Sequence, residues 1–208
     1  LLSALFVGLS QNTANALIKG EQPPNPEDPN AVPPAGLVTT PLFHVTAMNS
    51  VVHSITASGG KLVHMYKWDA GEALRLIEQE KITNFSGVPL MGRELISHPD
   101  FDSRDVSSLI SLGGGGAPVQ PDLIEKIDNR GGHAVPAQGY GLTETCGLAT
   151  GSYGAFLTSK PNSAGLIVPV CDIKAVDEQG ADLPRGEIGE ISIYGPHIIK
   201  GYLNRPDA

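Results

Sequence analysis

One short stretch, Gln138–Glu144, combines three side chains that could hold a nucleotide triphosphate. Glycines flank Tyr140, so its ring can lie against a flat group such as a base. The hydroxyl of Thr143 can donate to a phosphate oxygen, and the carboxylate of Glu144 can bind a hard cation such as Mg²⁺. An alternative stays open: Thr143 and Glu144 could open a surface helix while Tyr140 fills a gap in the core.

A second glycine-rich segment, Gly113–Gly116, leads into Ala117 and Pro118. Because glycine has no Cβ, this backbone can approach a flat or charged ligand closely, and ligands bind at the carboxyl ends of strands in open α/β sheets. The same residues are equally compatible with a flexible turn between a strand and a helix. A Walker-type phosphate loop is excluded, because no Lys-Ser or Lys-Thr pair follows.

His44 lies in the apolar segment Pro41–Val45. A lone histidine in such surroundings is more often a hydrogen-bonded core residue than a catalyst. The other histidines lack the spacing of metal ligands, so we expect no zinc site. Cys146 and Cys171 form no CxxC motif, and two isolated thiols fit a reducing compartment.

The elements that must position these segments are predicted by hydrophobic periodicity. Predicted helices cover Leu1–Ile18, Val45–Ser58, Ala70–Glu80, Val88–Ser97 and the residues from Pro121 to the Gly131-Gly132 pair. Asp69 is predicted to cap the third helix. Predicted strands cover Gly36–Thr40, Lys61–Met65, Ile82–Phe85, Leu109–Leu112 and a short run that ends before Gln138. A proline-rich loop is predicted over Gly20–Pro34.

The alternation of strands and helices predicts an α/β fold with a mostly parallel sheet flanked by helices. Further along, the sequence becomes β-rich, with a hairpin turn predicted at Asp177–Gly180 between Ala164–Val176 and Glu187–Tyr194. We therefore predict an α/β subdomain over residues 1–150, which carries the motifs, and a smaller β-rich subdomain over residues 151–208.

Composition narrows the class of protein. The 208 residues are 40% hydrophobic and 17% charged, which is typical of a folded soluble chain. The net charge of −8 and the absence of a basic block argue against nucleic acid or an anionic membrane surface as the main partner. Leu1–Leu9 is apolar but too short to span a bilayer, and it lacks the positively charged start of a signal peptide. Because the apolar stretch begins at once and without Met, we expect a segment cut from inside a larger protein.

The motifs occur in the order and at the separations seen in AMP-forming acyl-CoA synthetases. The chain resembles this family over essentially its whole length, within the adenylate-forming superfamily that also contains nonribosomal peptide adenylation domains and beetle luciferases. The matching segments are Pro41–Val45, Gly115–Pro118, Gln138–Glu144, Gly186–Glu190, Gly195-Pro196 and Gly201–Pro206. The resemblance implies an internal fragment of the large N-terminal domain, with a truncated, distorted barrel-like β-rich subdomain.

The resemblance also implies a role for each motif. Tyr140 would stack on adenine, with the backbone of Gly115–Pro118 near the other side of the base. Thr143 would contact the α-phosphate, and Glu144 would associate with Mg²⁺. His44 would line the acyl site close to the reacting carboxylate, which reverses the general expectation for a lone histidine.

Three sets of site residues follow from this resemblance. The implied catalytic residues are Thr143, Glu144 and His44. The implied nucleotide-binding residues are Gly115, Gly116, Ala117, Pro118, Gln138, Gly139, Tyr140, Gly141, Leu142 and Thr143. The implied acyl-pocket residues are His44, Gly114, Gly141, Leu142 and Leu148. No chemistry is assigned to the segments Gly186–Glu190 and Gly195–Asn204.

The implied reaction has two steps. A carboxylate attacks the α-phosphate of ATP to give an acyl-adenylate and pyrophosphate, and the thiol of coenzyme A then displaces AMP. We expect a fatty or other apolar acid, because the residues around Gly113–Pro118 and Leu142 are small and uncharged. An amino-acid adenylation domain normally places an Asp at the start of the acyl-site segment, and Thr39–His44 has none. The alternative from another class is a non-catalytic nucleotide-binding or scaffolding module.

The resemblance also defines what the chain lacks. The family's Pro-Lys-Gly phosphate loop would precede Leu1, and its ribose-binding Thr-Gly-Asp segment and catalytic Lys would follow Ala208. We therefore expect little or no turnover from the chain alone. We further expect a cytoplasmic location, and self-association through surfaces that truncation exposes.

Overall fold

The computed structural model of the chain describes residues 2–23, 25, 28 and 32–207. The predicted start of the first helix at Leu1 lies outside these residues, as does part of the predicted loop Gly20–Pro34. The helices are α1 (Leu2–Lys19), a π-helix (Thr46–Val52) that continues into α2 (His53–Ala57), α3 (Ala70–Glu80), α4 (Pro89–Ser97), α5 (Pro121–Arg130) and α6 (Ala155–Ser159). The strands are β1 (Ala35–Val38), β2 (Lys61–His64), β3 (Asn84–Gly87), β4 (Ser111–Gly114), β5 (Val135–Leu142), β6 (Gly147–Tyr153), β7 (Leu166–Ile167), β8 (Asp172–Val176) and β9 (Glu190–Tyr194).

Within the described residues, the strands form one large sheet and one small sheet. The large sheet has the order β2-β1-β3-β4-β5-β6-β7, in which β1 to β5 are parallel and β6 and β7 are antiparallel to their neighbours. Strands β8 and β9 pair separately as an antiparallel sheet. The predicted fold class, a mostly parallel α/β sheet flanked by helices, is confirmed.

The predicted division into residues 1–150 and 151–208 stays a prediction. Strand β6 runs across residue 150, and β7 pairs with β6 at Thr150 and Gly151. The large sheet that carries the motifs therefore extends beyond the predicted boundary, and the separate small sheet begins with β8 at Asp172.

Helix α3 shows how local sequence sets an element. The side chain of Asp69 accepts a hydrogen bond from the backbone N–H of Glu72 at 2.8 Å, which satisfies one of the unpaired donors at the helix start. Ala73, Leu74 and Ile77 follow at helical spacing and are fully buried. The cap, the bounds and the buried face of this helix are confirmed as predicted.

Helices cover both faces of the parallel strands, because successive side chains of a strand point to opposite sides. Leu37 of β1 belongs to the main apolar cluster, with residues of α3, α4 and α5. Its neighbour Val38 instead packs with Ala47, Val51 and Ile55 on the other side. Burying one such large apolar side chain contributes about 1.5–3 kcal/mol, so this two-sided core holds the strand ends in place.

Two predicted strands begin later in the structure than the sequence indicates. The run predicted at Ile82–Phe85 pairs as β3 over Asn84–Gly87, and the run predicted at Leu109–Leu112 pairs as β4 over Ser111–Gly114. An apolar run marks burial, and buried Ile82 and Leu109 lie in the connections before the strands. The shift places Gly113 and Gly114 inside the sheet.

Three other predictions need correction. The segment Val45–Ser58 is not one regular helix, because it begins with a π-helix. The strand predicted to end before Gln138 continues through the motif to Leu142, where it pairs with β6. The turn at Asp177–Gly180 is closed by the bridge between Val176 and Asp182, but β9 begins only at Glu190, so this turn forms only the first part of the connection.

Candidate active site

The predicted site segments meet at one edge of the large sheet. Strands β1, β3, β4 and β5 are parallel, so their carboxyl ends lie side by side. The register pairs Gly87 with Gly114 and Gly114 with Gln138. The turn after β4 therefore lies next to the motif in β5, and the Pro41–Val45 segment follows the end of β1. Ligands of open α/β sheets bind at this edge.

The glycines of the run Gly113–Gly116 have two different structural roles. A Cβ on Gly113 would collide with the backbone carbonyl of Ala137, and a Cβ on Gly114 would collide with that of Gly87. These two glycines are needed so that three backbones can pack closely. Gly116 instead has a φ of +80° and open space around its Cα, so it shapes a turn that leaves room beside the strand ends.

Gln138 fixes the far end of this glycine turn. Its side chain is buried, and its amide nitrogen donates to the carbonyl of Ser163 at 3.0 Å. Its amide oxygen accepts from the backbone N–H of Val119 at 3.3 Å. The side chain of this predicted nucleotide-binding residue thus ties the turn after β4 to the loop before β7.

Tyr140 lies in strand β5 beside a bulge, where the register shifts between Tyr140 and Gly141. Its ring is half-buried and packs against the cluster that contains Ala149, Val168 and Cys171. The ring therefore has a packing role, as the structural alternative held. The second half of that alternative is wrong, because Thr143 and Glu144 lie in a turn between β5 and β6 and open no helix.

A buried threonine outside the predicted site residues holds this turn. The hydroxyl of Thr145 accepts from the backbone N–H of Leu142 at 2.8 Å and lies 2.7 Å from the carbonyl oxygen of Gly147. The side chain of Asn49, on the π-helix, donates to the carbonyl of Cys146 at 2.7 Å. The turn that presents Thr143 is thus braced from within and from the Pro41–Val45 side. The only signal for Thr145 in the sequence is that it adjoins the motif.

Glu144 makes contacts that no sequence pattern indicated. One carboxylate oxygen, Oε1, accepts a hydrogen bond from the hydroxyl of Tyr202 at 2.6 Å. The backbone carbonyl of Glu144 accepts from the N–H of Ile199 at 2.9 Å. The hydrogen bond from Tyr202 holds the pKa of Glu144 below its usual range, and the same bond holds the pKa of the Tyr202 hydroxyl above its usual range.

His44 lies on an exposed bend after β1 and is not a core residue. Its backbone N–H donates to the carbonyl of Pro41 at 2.9 Å, and its Nδ1 accepts from the N–H of Thr46 at 3.2 Å. Phe43 beside it is 93% exposed. His44 is therefore exposed on the segment that follows β1, and the Nδ1 of its imidazole is held by a backbone N–H.

The predicted acyl-pocket residues occupy two neighbouring strands and one turn. Leu148 of β6 is half-buried, and a Cβ placed on Gly139 or Gly151 would meet its side chain. A Cβ placed on Gly141 would collide with the backbone carbonyl of Gly147. Leu142 is 44% exposed at the end of β5. Close backbone packing therefore explains the small residues here independently of any substrate.

Among the described residues, no cluster of three or more His, Cys, Asp or Glu side chains could enclose a metal ion. Tyr202 donates to only one carboxylate oxygen of Glu144, Oε1, so Oε2 takes no part in that hydrogen bond. One such oxygen suits Mg²⁺, which keeps several waters and binds substrate phosphates in addition to one or two carboxylates. The residues present are therefore compatible with a metal that arrives with a nucleotide.

The model of the family described as "AMP-binding enzyme" matches residues 11–203 of the chain. The chain belongs to the AMP-binding enzyme family. Feruloyl-CoA synthase from Amycolatopsis sp is 38% identical to this AMP-binding chain over 172 residues, which cover 83% of the chain and 35% of that protein. The chain thus spans about a third of the length of the curated relatives it matches.

Structures of two proteins are among the solved structures that resemble this AMP-binding chain. The N-terminal domain of FACL13 from Mycobacterium tuberculosis has a TM-score of 0.76 and 30% identity, covering 84% of this chain and 43% of that one. The o-succinylbenzoate CoA synthetase MenE from Bacillus subtilis, in complex with the acyl-adenylate intermediate OSB-AMP, has a TM-score of 0.76 and 25% identity, covering 99% of this chain and 39% of that one. The resemblance stated from the motifs and the predicted fold are confirmed. None of the described helices is long and apolar enough to cross a membrane.

Proposed function

We propose that this chain carries the adenine-binding and acyl-binding part of an AMP-forming CoA ligase. The observation that supports this proposal most strongly is the meeting of three segments at one sheet edge, in a chain of the AMP-binding family. These segments are the Gly115–Pro118 turn, the Gln138–Leu142 part of strand β5, and the turn that presents Thr143 and Glu144.

In the first step, a substrate carboxylate oxygen attacks the α-phosphorus of ATP, and the bond to the pyrophosphate oxygen breaks. The carboxylate is already a nucleophile, so positioning and charge neutralisation do most of the catalytic work. Mg²⁺, when bound, supplies charge neutralisation on the phosphates. The thiolate of coenzyme A then attacks the acyl carbon, and AMP leaves.

The chain's own residues would position these groups. The exposed Gly116–Pro118 backbone and the Tyr140 segment would border the base, with Tyr140 fixed by its packing against the neighbouring cluster. Thr143 is exposed on a turn braced by Thr145, so its hydroxyl can donate to an α-phosphate oxygen. His44, on its exposed bend, would border the reacting carboxylate.

For the substrate, we propose an aromatic carboxylic acid within the apolar class. Feruloyl and o-succinylbenzoyl groups, in the names of two similar proteins, both contain an aromatic ring. The strand-end edge also presents apolar surface, since Leu42 and Phe43 are exposed there. The fatty-acid expectation stays a prediction, and so does the cytoplasmic location.

The test is ATP–pyrophosphate exchange, followed by thioester formation with coenzyme A, on the protein at its full natural length. Substituted cinnamates, benzoates, fatty acids and amino acids are compared at equal concentration. We expect exchange and thioester formation with aromatic acids. Exchange with amino acids alone would identify an adenylation domain and overturn the proposal, whereas exchange with fatty acids alone would overturn only the aromatic assignment.

Calorimetry with ATP and with a non-hydrolysable acyl-adenylate analogue separates a catalyst from a binding module. Binding of both ligands without exchange for any acid would contradict the ligase proposal and favour a non-catalytic nucleotide module.

A Thr143→Val variant should still bind the adenine base but lose ATP–pyrophosphate exchange by about 10²-fold, as expected when one donor to a developing charge is removed.

A further inference from the structure

The segment that follows strand β9 returns to the turn between β5 and β6 and contacts Glu144 at two points. The backbone N–H of Ile199 donates to the Glu144 carbonyl at 2.9 Å. The hydroxyl of Tyr202 donates to Glu144 Oε1 at 2.6 Å, although the two residues are 58 positions apart in sequence. The first contact fixes the backbone of Glu144, and the second fixes its side chain.

The two carboxylate oxygens of Glu144 are therefore not equivalent. Oε1 is held by the hydroxyl of Tyr202, whereas Oε2 takes no part in that hydrogen bond. A glutamate on an exposed turn would otherwise sample several rotamers. A hydrogen-bonded carboxylate keeps one orientation, with its second oxygen directed away from the donor, which is the arrangement that metal-ligating carboxylates commonly have.

We propose that Tyr202 is a positioning residue that holds Glu144 ready to accept the divalent cation of a metal–nucleotide complex. This inference rests on the proposed function, because that function makes Glu144 a metal-associated residue. Tyr202 itself touches neither the cation nor the nucleotide. It acts through Glu144 from the segment after β9, to which sequence motifs alone assign no chemistry.

The competing view is that Tyr202 only anchors its own segment, or that it occupies Glu144 and hinders the cation. The three views differ in what Tyr202→Phe does. A positioning residue loses cation affinity, an anchor changes stability but not cation affinity, and a competitor gains cation affinity on substitution. Tyr202 is 50% exposed, so removal of its hydroxyl leaves no large cavity and the variant is expected to fold.

The experiment measures the affinity of the protein for Mn²⁺–ATP by equilibrium dialysis, as the Mn²⁺ retained with the protein in excess of that in the protein-free compartment. The protein is used at its full natural length. We expect Tyr202→Phe to weaken Mn²⁺ binding by about 10-fold, the lower end of the range for outer-shell partners of metal ligands. Metal-free AMP binding should stay unchanged. The matched control is Tyr194→Phe, which changes a different exposed tyrosine, the last residue of β9. This variant should bind Mn²⁺ as the wild type does.

A double-substitution cycle distinguishes positioning from anchoring. Tyr202→Phe introduced into Glu144→Gln should cause no further loss of Mn²⁺ affinity if Tyr202 acts through Glu144. Unchanged or tighter Mn²⁺ binding by Tyr202→Phe alone would overturn the inference while leaving the ligase proposal intact. Wild-type affinity in Glu144→Gln, or no ATP-dependent Mn²⁺ binding in the wild type, would remove the metal role of Glu144 and the inference with it.

Discussion

The parallel core of the large sheet and the small β8–β9 sheet differ in how they are held. In the core, Leu37, Ile77 and Leu112 are completely buried between helices and strands. In the small sheet, Ile191 and Tyr194 are 55% and 76% exposed. The core fixes the backbone part of the site, whereas the segment after the small sheet contributes two polar contacts to Glu144, one to its backbone carbonyl and one to its carboxylate. The backbone of the site and the contacts of Glu144 are thus held by different parts of the molecule.

The largest expected effect tests the close packing at the end of strand β4. Gly114→Ala should prevent stable folding or destabilise the protein by about 3–5 kcal/mol, because its Cβ would collide with the backbone of Gly87. Gly116→Ala, where there is open space but φ is +80°, should cost only about 1–2 kcal/mol. Urea unfolding of both variants checks this contrast. Equal costs would show that the strand ends can separate to make room.

The next effect compares the apolar interiors of the two sheets directly. Leu112→Ala should lower the free energy of unfolding by about 2–5 kcal/mol, because it leaves a cavity in a fully buried cluster. Ile191→Ala, on the exposed small sheet, should cost less than about 1 kcal/mol, because most of its side chain already contacts water. A cost at Ile191 as large as that at Leu112 would mean that the small sheet is covered by another surface.

Two threonines of the β5–β6 turn separate stability from chemistry. Thr145→Val removes a buried hydroxyl that lies within hydrogen-bond distance of three backbone groups, and we expect a loss of about 1–3 kcal/mol of stability. Thr143→Val, on the exposed side of the same turn, should leave the free energy of unfolding within about 0.5 kcal/mol of wild type. Pyrophosphate exchange and urea unfolding are measured on both. If Thr143→Val kept full exchange activity, its phosphate contact would be disproved.

The smallest effects compare single polar contacts in the two regions. Asp69→Ala removes the cap of α3 and should cost about 1 kcal/mol. Asp182→Ala breaks the exposed ion pair with Lys174 beside the small sheet and should cost between about 0 and 1 kcal/mol. Thermal unfolding at low and high salt checks both, because only the ion pair should weaken with salt. A salt-dependent loss at Asp69 would point to an electrostatic rather than a capping role.

The sequence was most informative where local rules act. The cap at Asp69, the apolar spacing of Ala73 and Ile77, and the proline at the start of α5 predict helices that the structure has. It was less accurate at strand ends, because the buried residues Ile82 and Leu109 precede the residues that pair in β3 and β4. The π-helix at Thr46–Val52 also escaped prediction, since no local residue pattern distinguishes it from a regular helix.

For the site, the motifs by themselves determined the family, the reaction class expected of it and the residues at the strand ends. Only the tertiary structure decided how those residues are supported. It assigned Gly113 and Gly114 to backbone packing, Thr145 to bracing the turn, and Tyr202 to the carboxylate of Glu144. The glycine contacts depend on the register of neighbouring strands, and the Tyr202 contact depends on the return of a distant segment, so local spacing could not show them. The Thr145 contacts are local in sequence, but they depend on the conformation of the turn. The run Gln138–Glu144 thus points to the proposed chemistry, and the fold determines which of its side chains remain available for a ligand.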